Sequence, residues 1–307
     1  MTTSQIAEPR HRVVTSGRIR LAVYEYGDPA NETIVLLHGW PDTHVLWTET
    51  AAVLAERFHV VVYDQRGHGL STSPPSWRDF TFEKLVDDLD AVAAVVSPNR
   101  PVHLLGHDFG AIYAWEAVCE MGADTRFASF TCLSGTNLDH WGMWAGKTLR
   151  RPTPRRVLGL VGQILSSSYI IMLFVPGFGE AVLTRLGQPR VWRRVLRVIS
   201  GVPARQARLS ATLPADMLGG VRIYRANIRK LFRPRRRTTS VPVQMITGRY
   251  DVAIRQIPLE DEELWTQELQ VHTLAAGHWS PFTHATDIAS LTATFAAAHP
   301  VRSNADA

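Results

Sequence analysis

The sequence predicts an α/β protein in which a mostly parallel sheet is flanked by helices and interrupted late by an inserted helical segment. Three observations carry this expectation. Short β-branched runs alternate with helical periodicity over the first 136 residues, the same texture resumes near residue 239, and the stretch between is Arg-rich, Pro-broken and helical. Charge follows the same division. Residues 141–240 hold twenty Lys and Arg against two acids, Glu180 and Asp216, while the remainder holds thirteen basic and 26 acidic residues. The formal net charge of +5 therefore joins two regions of opposite sign. The expected division is 1–136 for the first part of the core, 137–238 for a basic helical cap and 239–307 for the second part of the core.

Composition bounds the rest. With 45% hydrophobic and 20% charged residues, the chain is neither intrinsically disordered nor a coiled coil. Cys119 and Cys132 lie in apolar runs without ligand spacing, which argues against a disulfide scaffold or zinc site and favours a reducing compartment. Met1 to Val14 lacks the apolar stretch of a signal peptide, so a cytoplasmic location is expected.

The elements follow in order. Thr33–Leu37, His59–Tyr63, Pro101–Leu105 and Phe127–Leu133 read as strands. Phe82, Leu85, Leu89, Val92 and Val96 recur at helical intervals and mark one buried face; Glu83, Asp87, Asp88 and Asp90 read as its solvated face. Residues 157–179 carry no charge, yet Gln163, Ser166 to Ser168, Gly177 and Gly179 break the stretch, so a helix lining a pocket is preferred over a membrane span. Val241–Thr247 and Leu269–Ala275 read as further strands, and Asp287–Ala298 as a closing helix.

The strongest chemical signal is Gly106-His107-Asp108-Phe109-Gly110, between a strand and a helix. A sharp strand-to-helix turn exposes its central side chain at the carboxyl end of the sheet, and glycines flank it because a Cβ there would strike neighbouring backbone. Asp108 is thus a candidate nucleophile above a helix N-terminus. Asp251 follows the strand Val241–Thr247 and His278 follows the last core strand, giving the order nucleophile, acid, base. Asp139, just after Phe127–Leu133, is a competing acid; Asp251 is preferred on order. His38-Gly39-Trp40-Pro41-Asp42 ends another strand, and the Trp40 and Phe109 backbone N–H groups would form an oxyanion hole. His38, Pro41, His107 and Trp279 are expected to line the pocket. Asp64-Gln65-Arg66-Gly67-His68-Gly69 reads as a scaffolding turn.

These residues resemble the α/β-hydrolase superfamily, and an Asp nucleophile resembles the branch containing epoxide hydrolases and dehalogenases. The resemblance implies an eight-stranded, mostly parallel sheet with helices on both faces and a helical cap. It also implies two cap tyrosines that donate hydrogen bonds to an epoxide oxygen: Tyr169, in the run from Tyr169 to Glu180 through Pro176-Gly177, and Tyr224, in Ile223-Tyr224-Arg225-Ala226-Asn227. The chain is most similar to the hydrolase half of bacterial proteins that fuse such a domain to a short-chain dehydrogenase, and the 307 residues are expected to hold that half alone. Phe109 departs from the Trp usual after the nucleophile, and Ala276 from the residue many relatives place before Gly277-His278. The implied reaction converts an apolar, lipid-like epoxide to a vicinal diol with water, with no cofactor and no metal. A dehalogenase and a non-catalytic ligand- or lipid-binding module are the competing readings. No nucleic-acid partner is expected, since no recognition motif accompanies the basic window. Contact with anionic membrane through the cap is expected instead, from Arg190, Arg193, Arg194 and Arg197 beside Trp192, Val195, Leu196 and Val198. The plain alternative is that the arginines pair with the acidic core.

Overall fold

The computed structural model describes residues 8–301 apart from 174 and 176. Eight strands form one sheet in the order β1-β2-β4-β3-β5-β6-β7-β8. The sequence reading finds six of them: β3 (Thr33–Leu37), β4 (His59–Tyr63), β5 (Val102–His107), β6 (Phe127–Leu133), β7 (Val243–Gly248) and β8 (Leu269–Leu274). These run parallel. The two it does not name, β1 (Arg10–Ser16) and β2 (Ile19–Tyr26), make an antiparallel hairpin at one edge. Strand β1 is mostly exposed and opens with Arg10, His11 and Arg12, so no apolar run marks it. The central strands β3 and β4 are buried along their whole length, as expected of strands covered on both faces.

Helices α1 (Thr48–Leu54), α2 (Phe82–Val96), α3 (Phe109–Val118) and a late helix, Ala285–Ala298, accompany the sheet. The periodic face of α2 is buried from Phe82 to Val92. Its acidic side is only partly solvated, which corrects the expectation: Asp88 is buried and holds the guanidinium of Arg66 through two bonds, at 2.6 and 2.7 Å. Arg66 also donates to the Asp79 and Lys84 carbonyls, so it ties the scaffolding turn to α2.

Between β6 and β7 the chain makes α4 (Leu138–Arg150), α5 (Pro154–Ser166), α6 (Tyr169–Leu173), α7 (Phe178–Leu186), α8 (Pro189–Ser200), α9 (Leu213–Gly219) and α10 (Val221–Asn227); the late helix is α11. Phe174 and Pro176, part of the Pro-Gly run read from the sequence, lie outside the described residues. The stretch Pro154–Leu173 is long and apolar enough by composition to cross a membrane, but a turn at Ser167 and Ser168 divides it into α5 and α6. It lines the cavity described below on one side and meets solvent on the other. Helix α8 packs part of its apolar face inward, while Val198 and Ile199 stay exposed. Trp192 and Leu196 are buried, with Trp192 against the Trp279 ring, so its amphipathic pattern serves packing.

Many insertion cations pair with core acids: Lys230, Arg235 and Arg237 with Glu116, and Arg156 with Glu260 and Asp261. The two regions of opposite charge are therefore joined partly by ion pairs.

Candidate active site

Asp108 stands at the turn from β5 into α3 with φ +52°, a left-handed backbone that a non-glycine residue rarely adopts. The turn needs its glycines. A Cβ on Gly106 would lie 2.7 Å from Ala111 Cα, and one on Gly110 would strike the Leu37 and His38 carbonyls. Gly39 is equally constrained, because a Cβ there would occupy the space of the Asp108 carboxylate. The Trp40 N–H donates to Asp108 Oδ2 at 3.0 Å, and the Phe109 N–H also faces the carboxylate. Both backbone donors expected from the sequence thus converge on this group.

His278 presents Nε2 to Asp108 Oδ1 at 3.8 Å, and its Nδ1 lies 3.0 Å from Asp251 Oδ2. Asp251 Oδ1 accepts from the Ala253 and Ile254 N–H groups at 2.8 and 2.9 Å, which fixes the carboxylate plane. Burial works against charge on Asp251, but the His278 ring and the Ile254 N–H outweigh it and hold the carboxyl below its usual range. Burial likewise opposes a proton on His278, yet Asp251 and then Asp108 hold its pKa up at about 9. Burial raises Asp108 itself, against the lowering pull of His278 and the two N–H donors. Asp139 is absent from this group: it accepts from the Arg235 backbone and guanidinium.

Asp108 forms part of the wall of a cavity of about 300 Å³ with Phe109, Ile112, Tyr169, Ile171 and Tyr224 among its lining. The Tyr169 and Tyr224 hydroxyls lie 2.8 Å apart. Burial raises the Tyr169 phenol to about 12 and drives Tyr224 well above its ordinary value, with the Asp108 charge adding to both. Both are neutral donors near pH 7. Tyr224 is fixed by ring edges, 4.7 Å from Phe109 and 5.7 Å from Trp40 between centroids.

Four expected pocket residues do not line this cavity. His38 is wholly buried and accepts the Gln65 N–H on Nε2. Pro41 continues the turn that follows Trp40 through a cis peptide bond. His107 contacts the His278 carbonyl through Nε2 at 2.9 Å. Trp279 donates its indole N–H to Asp42 at 2.9 Å and packs edge-on against His278. His38, His107 and Trp279 are each drawn into the scaffold by a partner of their own, and the wall is left to apolar and aromatic side chains of the insertion, to Phe82, Phe109 and Ile112, and to Ile254, Pro258 and Leu259 after β7. Sequence reasoning passed over Asp42, whose carboxyl burial raises to about 7 beside Asp108 and His278. Its signal was visible as an acid directly after the His-Gly-Trp-Pro turn.

A family model for the alpha/beta hydrolase fold matches residues 32–152. The solved structure of a Vigna radiata epoxide hydrolase mutant superposes with a TM-score of 0.75 at 22% identity, covering 94% of this chain and 98% of that one. The chain has the α/β-hydrolase fold. Its sequence relatives include proteins named as epoxide hydrolases. "Epoxide hydrolase A" of Mycobacterium tuberculosis is 34% identical over 195 residues, 63% of this chain and 55% of that protein. "Probable oxidoreductase EphD" of the same species is 37% identical over 284 residues, 91% of this chain and 48% of that protein. The chain therefore spans about half the length of these relatives.

Proposed function

We propose that the protein hydrolyses an apolar epoxide to a vicinal diol through an ester on Asp108. The observation that carries this reading is the pair of neutral phenols meeting at 2.8 Å in an apolar cavity shared with a partly buried carboxylate. An epoxide carbon offers no carbonyl, so a carboxylate oxygen displaces the ring oxygen directly. Oδ2 is held by the Trp40 N–H, which leaves Oδ1 to form the new C–O bond. As the ring C–O bond breaks, its electron pair moves to oxygen, which takes a proton from Tyr169 or Tyr224.

Esterification also removes the negative charge of Asp108. One of the anions that keep the proton on His278 is then lost, and that proton returns to the phenolate through solvent. The neutral imidazole now accepts a proton from water, which attacks the Asp108 carbonyl carbon. The Trp40 and Phe109 N–H groups hold the oxyanion. Collapse breaks the bond to the former Oδ1, and the departing alkoxide takes the His278 proton. Inner 137–238 helices act as the cap that supplies both tyrosines, and the aliphatic wall sets a preference for apolar, lipid-like substrates.

Halide release is less well served. Phe109 has no side-chain donor, and the Trp40 indole N–H is committed to the Met217 carbonyl at 3.1 Å. A single turnover in ¹⁸O-labelled water tests the reading, because label enters the Asp108 carboxylate only if an ester forms there. In His278→Ala the adduct should persist. Absence of diol, label and adduct across terminal, trans-disubstituted and fatty-acid epoxides would leave ligand binding as the function.

A further inference from the structure

We infer that the outer face of α5 and α6 is a docking surface for an anionic lipid bilayer. Helix α5 is amphipathic with its apolar stripe turned outward. Leu158, Val161 and Leu165 recur at helical spacing and are exposed, Leu158 to 71%. The side turned toward the protein buries Gly159, Leu160 and Gln163. A Cβ on Gly159 would press on the Ile257 side chain, and buried Gln163 donates to the Ala253 carbonyl and accepts from the Arg255 N–H. Helix α8 shows the ordinary arrangement, with Trp192 and Leu196 inward and Arg190, Arg194 and Arg197 exposed. The α5 stripe thus has no packing role within the described residues. Ile171, 72% exposed, and Phe178 are further exposed apolar residues of the run 157–179, which carries no charge. A cluster of exposed apolar side chains of this kind marks a binding face.

Charge selects the occupant. At the N-terminal end of the stripe Arg150 and Arg151 are exposed and make no ion pair among the described residues. A second copy packed on this face would bring like charges from two strongly basic insertions together, whereas anionic headgroups neutralise them. Ile164 and Ile171 are both exposed and part of the cavity wall, so the rim of the cavity lies on the same face. An apolar substrate dissolved in lipid would enter from the bilayer; this delivery rests on the proposed reaction, while lipid binding does not.

The test is co-sedimentation of the full chain with vesicles of phosphatidylglycerol and phosphatidylcholine mixed, or phosphatidylcholine alone, at low and high salt. Binding should require phosphatidylglycerol and weaken with salt. Leu158→Asp and Leu165→Asp should each weaken it about tenfold, with unchanged melting temperature and unchanged turnover of a small water-soluble epoxide. No turnover by any variant would count against the reaction alone and leave the vesicle result standing. Absence of binding to the anionic vesicles, or binding indifferent to both substitutions, overturns the inference. A concentration-dependent dimer that Leu165→Asp dissolves, without vesicle binding, would assign the face to a second copy and overturn it equally.

Discussion

Replacing Asp251 by Asn should separate the two chemical steps proposed for the site. Asp251 Oδ1 accepts two backbone N–H bonds, at 2.8 and 2.9 Å, and an amide oxygen can keep both. The amide nitrogen then faces His278 Nδ1 in place of Oδ2, at 3.0 Å in the native protein. It donates, so Nδ1 must accept, and the ring proton moves to Nε2 on the side of Asp108. An imidazole with its proton there cannot take one from water. The Asp251 charge that holds His278 at about 9 is lost at the same time. Ester hydrolysis should fall about 10³–10⁴-fold, corresponding to roughly 4–5.5 kcal/mol of transition-state stabilisation. Ring opening depends on Asp108 and the tyrosines and should slow less than about tenfold. Rapid quench followed by intact-protein mass spectrometry should show Asp251→Asn accumulating an adduct of one substrate mass. Full turnover without accumulation, or equal loss of both steps with no adduct, would refute the assignment.

Other consequences are equally accessible. Tyr224→Phe should slow single-turnover ring opening about 10²–10³-fold. Tyr169→Phe should cost less, because Tyr169 is partly exposed while Tyr224 is fixed between two rings; unchanged ring opening in both variants would remove their donor role. Asp88→Ala strands the buried Arg66 guanidinium and should lower unfolding free energy by about 3–5 kcal/mol in urea titrations, whereas a solvated acid would cost nearly nothing. His278 has a folded pKa raised above its unfolded value, so its charge-linked stability is fully present below about pH 6.5 and is lost as pH rises through about 9. The stability difference between wild type and His278→Gln should shrink across that window.

The parallel strands were legible because burial on both faces leaves short β-branched runs, and the glycine-flanked Asp108 because its turn tolerates no other residues at those positions. The hairpin of β1 and β2 escaped notice since its outer strand faces water and carries charge. Histidine and tryptophan misled for another reason. Their types suggest a pocket, yet His38, His107 and Trp279 each have a polar group that finds a buried partner, and such a pairing between distant segments leaves no local pattern. The same blindness affected Asp88, whose partner Arg66 lies 22 positions away. Helix α8 shows the limit of periodicity: it buries Trp192 and Leu196, but the pattern alone does not say whether an apolar face meets protein or lipid.

Trp40 gives the insertion an unexpected standing. Its N–H touches Asp108, its indole donates to Met217, and its ring fills the space that a Cβ on Gly220 would need. Helices that appear to be an interchangeable accessory therefore also set the position of a backbone donor in the core. Transplanting a relative's insertion would disturb the Trp40–Asp108 hydrogen bond unless the Met217–Gly220 segment were retained. Chimeras cut on either side of that segment should differ in ester hydrolysis even when their substrate walls are identical. Under the proposed reaction, the segment that shapes the substrate wall and the one that holds the Asp108 hydrogen bond would then be inseparable.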